Sequence, residues 1–168
     1  MASGDQRAGR PPSGSGSSLR VGIVRATWNP DIVDRLAAGT QRGLEELGVT
    51  DTTEVTVPGC FEIPLAAKLL AEAGQVDAIV TIGAVIRGET THYELVSEGA
   101  AQGAMAAQLT TGIPIGFGLV TVENEAQALA RSEGPGGHNV GEDAAYVAVA
   151  MALLARDLSA GPETVTIE

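Results

Sequence analysis

One of the two histidines of the chain, His92, follows a short polar turn within the segment GAVIRGETTHYELV, residues 83–96. The apolar run DAIVTI, residues 77–82, precedes this segment and is typical of a buried strand, and a helix is predicted after the turn. An imidazole suits proton transfer because its unperturbed pKa lies close to neutral pH. A glycine-containing turn that opens a helix also presents free backbone N–H groups and a positive dipole end to an anion. The pattern therefore indicates a proton-transferring histidine beside a site for an anion such as phosphate.

Each candidate residue also has a structural interpretation. A histidine near a helix start more often caps the helix or satisfies a polar group than catalyses a reaction. Trp28 is more often buried packing than a stacking platform, and Cys60 is typical of a small buried apolar residue. Thr90 or Thr91 is expected to cap a helix, and Arg131 to be a solvated helix residue. From the residues alone, the sequence indicates an α/β domain with a candidate anion and aromatic-ring site.

The elements that must position these residues alternate between strands and helices. Such alternation implies a parallel sheet covered on both faces, so we expect a three-layer α/β/α sandwich with a four-stranded parallel sheet. The predicted strands span residues 19–24, 53–59, 77–85 and 113–122, and the predicted helices span residues 31–47, 63–73, 91–110, 124–133 and 142–157.

Ligands of an open parallel sheet bind outside the carboxyl ends of its strands. A flat ring is expected to stack on an aromatic side chain there. The residues that follow the predicted strands are Trp28 and Asn29; Gly59, Cys60, Phe61 and Glu62; residues 85–92; and Glu123 and Asn124, with Arg131 further along. No Walker motif or G-x-G-x-x-G fingerprint accompanies them.

Composition excludes several function classes. The formal net charge of −11 argues against a nucleic acid or an anionic membrane as partner. A single cysteine, Cys60, excludes an internal disulfide framework and a cysteine-based zinc cluster, and favours a reducing cytoplasm. Neither a secretory signal nor a membrane-spanning stretch is visible.

Both ends of the chain are predicted to be tails. Residues 1–18 contain eleven Gly, Ser or Pro residues and predict a flexible segment. Residues 158–168 are interpreted as a shorter C-terminal tail. The 168-residue chain is long enough for one domain with a substantial core, which we expect over residues 19–157.

Several motifs in the same order resemble those of the lumazine synthase family. GAVIRGETTHYELV resembles its central motif, and the other matching segments are IVRATWNPDI (23–32), VPGCFEIP (57–64), FGLVTVEN (117–124) and QALARS (127–132). The resemblance covers roughly residues 19–157 and implies a flavodoxin-like fold. It also implies condensation of 5-amino-6-ribitylaminouracil with 3,4-dihydroxy-2-butanone 4-phosphate in riboflavin biosynthesis, with no metal and no cofactor.

The resemblance assigns roles to individual residues. His92 matches the catalytic proton donor. The residues that match the ribitylaminouracil site are Trp28, Cys60, Phe61, Glu62, Ala84, Val85 and Ile86, with Phe117 supplied by a neighbouring subunit. The residues that match the butanone phosphate site are Glu89, Thr90 and Arg131.

One departure from the family pattern concerns the phosphate site. Family members often carry a lysine some eight to ten positions after the phosphate-binding arginine, whereas Val140 occupies that position here. Lys68 is the only lysine of the chain and lies on an early predicted helix. The departure predicts weaker phosphate affinity and argues against an enzyme-bound Schiff base.

The resemblance also implies a homo-oligomer with active sites between subunits. The family forms pentamers, some of which assemble into sixty-subunit shells. The length of the segment EGPGGHNVGE favours a free pentamer. Riboflavin synthase is the implied pathway neighbour.

Two other functions stay open at this point. One is an archaeal-type riboflavin synthase on a related scaffold, which the phosphate-site residues Thr90 and Arg131 disfavour. The other is a shell or lumazine-binding protein without turnover, which only the missing lysine favours.

Overall fold

A four-stranded parallel sheet forms the centre of the computed structural model, which describes residues 10–161. The strand order is β2–β1–β3–β4, and each neighbouring pair is parallel. The strands are β1 (Arg20–Ala26), β2 (Asp51–Val57), β3 (Ala78–Ile86) and β4 (Ile115–Val122). The predicted sheet is therefore confirmed. The predicted second strand ran two residues too far because Pro58, which has no N–H to donate, follows the last paired residue.

Helices cover both faces of the sheet. They are α1 (Pro30–Glu46), α2 (Ile63–Glu72), α3 (His92–Thr111), α4 (Glu125–Leu129) and α5 (Val140–Ala160), and a short 3-10 helix (Cys60–Glu62) precedes α2. One apolar cluster joins α1 and α5 to one face, and a second joins α2 and α3 to the other. β3 is buried along almost its whole length because both layers cover it. The three-layer α/β/α prediction is confirmed.

The helix predicted over residues 124–133 is wrong beyond Leu129. Asn124 starts α4 by accepting a hydrogen bond from the backbone N–H of Gln127 at 3.0 Å. After one and a half turns the chain leaves the helix, and Ser132 forms an antiparallel bridge with Asn139. Arg131 therefore lies in a turn rather than on a helix.

The last helix begins two residues before its predicted start. The side chain of Asn139 accepts a hydrogen bond from the N–H of Glu142 at 3.1 Å and caps α5. Asn139 is 1% exposed, and its amide also donates to the carbonyls of Arg35 and Glu133. This single side chain therefore joins α1, the turn after α4 and the start of α5.

The predicted tails differ in part from the structure. Residues 10–18 are not separate from the domain, because the N–H groups of Gly14 and Gly16 donate to the carbonyls of Glu46 and Leu47 at the end of α1. These bonds satisfy carbonyls that a helix end leaves without a partner. Residues 158–160 continue α5 instead of beginning a tail. The remaining residues of both predicted tails, 1–9 and 162–168, lie outside the described residues.

None of the helices within residues 10–161 combines the length and the apolar character needed to cross a membrane.

Candidate active site

A cavity of about 600 Å³ opens at the carboxyl edge of the sheet, where the segments after β1 and β2 and the last residues of β3 meet the start of α3. This is the position at which an open parallel sheet binds ligands. The residues that line it are Trp28, Asn29, Pro58, Gly59, Cys60, Phe61, Glu62, Ala84, Val85, Ile86, His92, Leu95 and Val96. Eight of the twelve predicted site residues therefore lie in one cavity, and His92 is among them.

The end of β1 contributes an exposed aromatic ring. Trp28 is 66% exposed, so the interpretation of this residue as buried packing is wrong. The next residue, Asn29, has φ 57°, the only positive φ of a non-glycine residue within residues 10–161. Its side-chain amide donates to the carbonyl of Ala84 at 3.0 Å and so ties the end of β1 to β3. Pro30 follows at the start of α1, where a missing N–H costs nothing.

The segment after β2 forms a tight turn that packs against α3. The hydroxyl of Thr27 donates to the carbonyl of Pro58 at 2.9 Å, and the carboxylate of Glu62 accepts from the N–H of Gly59 at 3.0 Å. The carboxylate of Glu62 thus closes its own turn. Phe61 rests on α3 at Gly99, where a Cβ would lie only 2.8 Å from the ring. The absence of a side chain at residue 99 therefore makes room for the aromatic ring.

Cys60 forms part of the cavity wall, and its thiol is not reactive. Its side chain is 5% exposed, and burial raises the pKa of the thiol to about 12. Sγ would lie 2.4 Å from a Cβ at Gly83, so the sulfur fills space that a glycine on β3 leaves free. The interpretation of Cys60 as a small buried apolar residue is confirmed.

The end of β3 leads directly into the turn and His92. Ala84 and Val85 are buried, and β3 stays paired with β4 up to Ile86. His92 is the first residue of α3, and its N–H donates to the hydroxyl of Thr90 at 3.3 Å. Thr91 occupies the N-cap position without a side-chain cap bond. The predicted threonine cap is therefore not made, because Thr90 lies before the N-cap position and bonds only the N–H of the first helical residue.

Four predicted residues do not line the cavity. Glu89 and Thr90 are exposed on the turn immediately before His92. Phe117 is 39% exposed and pairs with Thr81 in the middle of β3, three residues before Ala84 and therefore about 10 Å along the strand from the cavity. Arg131 is exposed beyond α4, and its guanidinium donates to the carbonyl of Gln127 at 3.0 Å.

Comparison with known proteins gives the family. A family model described as 6,7-dimethyl-8-ribityllumazine synthase matches residues 18–156. The chain belongs to the 6,7-dimethyl-8-ribityllumazine synthase family.

Proteins named 6,7-dimethyl-8-ribityllumazine synthase are similar to this chain over most of their length. The protein from Kineococcus radiotolerans is 55% identical over 117 residues, which cover 70% of this chain and 72% of that protein. The protein from Streptomyces avermitilis is 44% identical over 142 residues, or 84% of this chain and 88% of that protein. The protein from Paraburkholderia phymatum is 47% identical over 146 residues, or 86% and 82%. The predicted resemblance is confirmed.

Five cavity residues of this lumazine synthase family member had no predicted role. Asn29 and Gly59 were recognised at strand ends without a function, and Pro58, Leu95 and Val96 were not singled out. A signal for the last two was present, because residues three and four positions after a helical His92 share its face. Pro58 had no such signal.

Within residues 10–161, no group of three or more His, Cys, Asp and Glu side chains is arranged to hold a metal ion.

Proposed function

We propose that this chain condenses 5-amino-6-ribitylaminouracil with 3,4-dihydroxy-2-butanone 4-phosphate to form 6,7-dimethyl-8-ribityllumazine. One observation carries the proposal: in a chain of this family, Trp28 and His92 meet in one cavity at the carboxyl edge of the sheet. An aromatic platform and an acid–base group on the same cavity are what a ring-forming condensation of a pyrimidine requires.

The ribitylaminouracil occupies the part of the cavity between Trp28 and the end of β3. The exposed Trp28 indole stacks on the pyrimidine, and the backbone of residues 84–86 offers polar groups along its edge. The 3-10 helix that begins at Cys60 forms the opposite wall, with Phe61 held against α3. Glu62 acts there by keeping its turn closed, since its carboxylate already accepts a backbone hydrogen bond.

His92 moves protons during the condensation. The substrate amine attacks the ketone and loses water to form an imine, phosphate then leaves, and ring closure releases a second water. His92 borders the cavity at the start of α3, directly after the turn that carries Glu89 and Thr90. Holding two substrates together supplies much of the acceleration, up to about 7–11 kcal/mol in ideal intramolecular systems.

The phosphate binds at the turn before α3. The Thr90 hydroxyl accepts from the N–H of His92, so its own hydrogen is free to donate to a phosphate oxygen. The carboxylate of Glu89 repels an anion, and this residue therefore acts through its backbone N–H with the side chain in solvent. Arg131 completes the site with a positive charge.

Arg131 and Phe117 reach this site from a neighbouring subunit. Neither lines the cavity of its own chain, although both match residues of the family site. We propose a homopentamer in which each cavity is completed by the next chain. Large apolar side chains exposed on the helices support association; they are Leu65, Leu69, Leu95, Met105, Leu109, Val147, Met151, Leu154 and Leu158.

Mixing two variants of low activity tests the shared site. His92→Ala and Arg131→Ala chains are unfolded together, refolded as mixed assemblies and assayed. If Arg131 comes from the next chain, about a quarter of the cavities contain both native residues and activity returns to that level. If both residues act within one chain, every cavity lacks one of them and activity stays at the level of the separate variants, which would contradict the shared site.

Light scattering after size-exclusion chromatography tests the assembly. A free pentamer has about five times the 17.0 kDa mass of one chain. A particle near sixty chains would contradict the pentamer.

Product identity tests the reaction. Incubation with both substrates should yield the lumazine, whereas a riboflavin synthase would turn over lumazine itself, and a binding protein would retain lumazine without making it. We place the reaction in the cytoplasm, a proposal supported by the single buried cysteine, with riboflavin synthase as the enzyme that uses the product.

A further inference from the structure

Arg87, the first residue after β3, contacts three other residues through its guanidinium. Nε donates to Oε2 of Glu123 at 2.7 Å, and Nη1 donates to the carboxylate of Glu94. The guanidinium carbon also lies 4.2 Å from the centre of the Tyr93 ring. The backbone N–H of Arg87 donates to the carbonyl of Val122 at 2.8 Å, so both backbone and side chain are held.

These contacts join two elements on either side of the phosphate turn. Glu123 directly follows β4, and Tyr93 and Glu94 lie in the first turn of α3. The turn formed by residues 88–91 therefore begins after Arg87 and ends at the first turn of α3, which contacts the guanidinium of the same arginine. His92 immediately follows this turn. A change in the position of Arg87 would displace the turn and His92 together.

The same contacts make Arg87 unsuitable as a phosphate ligand. Its charge is shared between two carboxylates, and the hydrogen bond from Arg87 lowers the pKa of Glu94 from its usual value. Oε2 of Glu94 is buried without a hydrogen-bond partner, so the nearby guanidinium is important for stabilising the charge of this carboxylate. Arg131, by contrast, takes part in none of the ion pairs found among residues 10–161 and stays available for an anion.

We infer that Arg87 is a positioning residue for the phosphate half of the active site. It fixes the turn of residues 88–91 and His92 between α3 and β4, and it neutralises Glu94 and Glu123, whose charges would otherwise repel a phosphate. The inference rests on the proposed function. It assigns Arg87 no contact with either substrate.

Steady-state kinetics of Arg87→Met and Arg87→Lys test the inference. Arg87→Met keeps a long apolar side chain and removes the charge. We expect the KM for the butanone phosphate to rise about tenfold or more and kcat to fall, because small displacements of catalytic groups cost up to about a hundredfold. The KM for the ribitylaminouracil should change by less than about twofold, since residues 84–86 are held by their pairing with β4 and its other walls lie on separate segments. Arg87→Lys should recover part of the loss, because one ammonium cannot reproduce the planar fork.

Arg20→Met is the matched control. Arg20 also forms a bidentate pair, with Asp77, but it lies at the first residue of β1, at the opposite edge of the sheet. Its substitution should leave both KM values unchanged. Equal increases in both KM values for Arg87→Met, together with a lower Tm, would show a merely structural role and overturn the inference, as would unchanged kinetics.

A second readout separates this inference from the proposed function. Inorganic phosphate is titrated into the protein while the imidazole resonance of His92 is followed by NMR. We expect a response in the parent protein that requires about tenfold more phosphate in Arg87→Met. A parent protein that gives this response but makes no lumazine would defeat the proposed function and leave the role of Arg87 intact. An identical response in both proteins would overturn the role of Arg87.

Discussion

Replacing Trp28 with alanine should strongly weaken the binding of one substrate and lower the stability of the fold only moderately. The side chain is 66% exposed in the single chain, so about a third of its surface is buried. A fully buried aromatic side chain covers about 150–250 Å², and a third of this at about 25 cal/mol per Å² corresponds to a stability loss of roughly 1–2 kcal/mol. For a domain of this size, such a loss lowers Tm by about 2–8 °C.

The expected effect on binding is larger and confined to one substrate. Stacking of a base on an aromatic side chain contributes about 1–3 kcal/mol, which corresponds to a rise in KM of about 5- to 150-fold. Only the ribitylaminouracil has an aromatic ring to stack, so the KM for the butanone phosphate should stay within about twofold.

Kinetics with each substrate varied in turn, alongside thermal unfolding, measure both effects. Trp28→Phe is the matched variant, because it keeps a stacking ring and should keep most of the affinity for the ribitylaminouracil. The reasoning would be refuted if Trp28→Ala left that KM unchanged, or raised both KM values equally.

Four further outcomes follow from the structure. Val140→Lys should lower the KM for the butanone phosphate several-fold, because the N–H of Val140 bonds the carbonyl of Arg131 at 2.9 Å and a lysine there adds a second cation; equal KM values in variant and parent would contradict this. Asn139→Ala should lower the free energy of unfolding by about 2–4 kcal/mol in urea melts, since it removes a helix cap and the part-buried hydrogen bonds to the carbonyls of Arg35 and Glu133; a loss below about 1 kcal/mol would refute it. Native Cys60 should react with iodoacetamide at pH 8 more than about a hundredfold more slowly than in urea, because its thiol is buried and protonated; comparable rates would show an open cavity wall. The hydrogen bond from Arg20 lowers the pKa of Asp77, so this carboxylate stabilises the fold above its unfolded pKa, and the stabilisation disappears as pH falls through the folded pKa. Asp77→Asn should therefore lower the free energy of unfolding at pH 7, and the difference from the parent should shrink as pH falls below about 4. A difference independent of pH would oppose this.

The four parallel strands and their positions along the chain were predictable because the strands carry strong local signals. β3 is a continuous apolar run, as expected for a strand covered on both faces. Pro58 and Gly59 were included in the predicted second strand, although they begin the turn after β2. The end of α4 was not predictable, because QALARS favours a helix while the chain leaves it to form the bridge between Ser132 and Asn139.

The N-terminal segment shows the limit of composition as a guide. Its Gly and Ser residues indicated flexibility, yet Gly14 and Gly16 use their backbone N–H groups to complete hydrogen bonding at the end of α1. Backbone bonding of this kind leaves no signal in side-chain type.

Much of the candidate site was predictable from strand ends and the family resemblance, but its supporting contacts were not. The left-handed backbone of Asn29 and the contacts of Arg87 depend on residues distant in sequence. In the proposed assembly, Phe117 and Arg131 would reach the cavity from a second chain, which a single sequence does not describe.

Lumazine formation by the purified protein with both substrates, followed by absorbance against a protein-free control, tests the central claim most directly. His92→Ala is compared with His138→Ala, the same change at the other histidine, which is exposed and pairs with Asp143. The account predicts clear acceleration by the parent and His138→Ala, and a loss of about 10- to 100-fold in His92→Ala, because proximity persists while proton transfer is impaired. No acceleration by the parent, or full activity in His92→Ala, would contradict it.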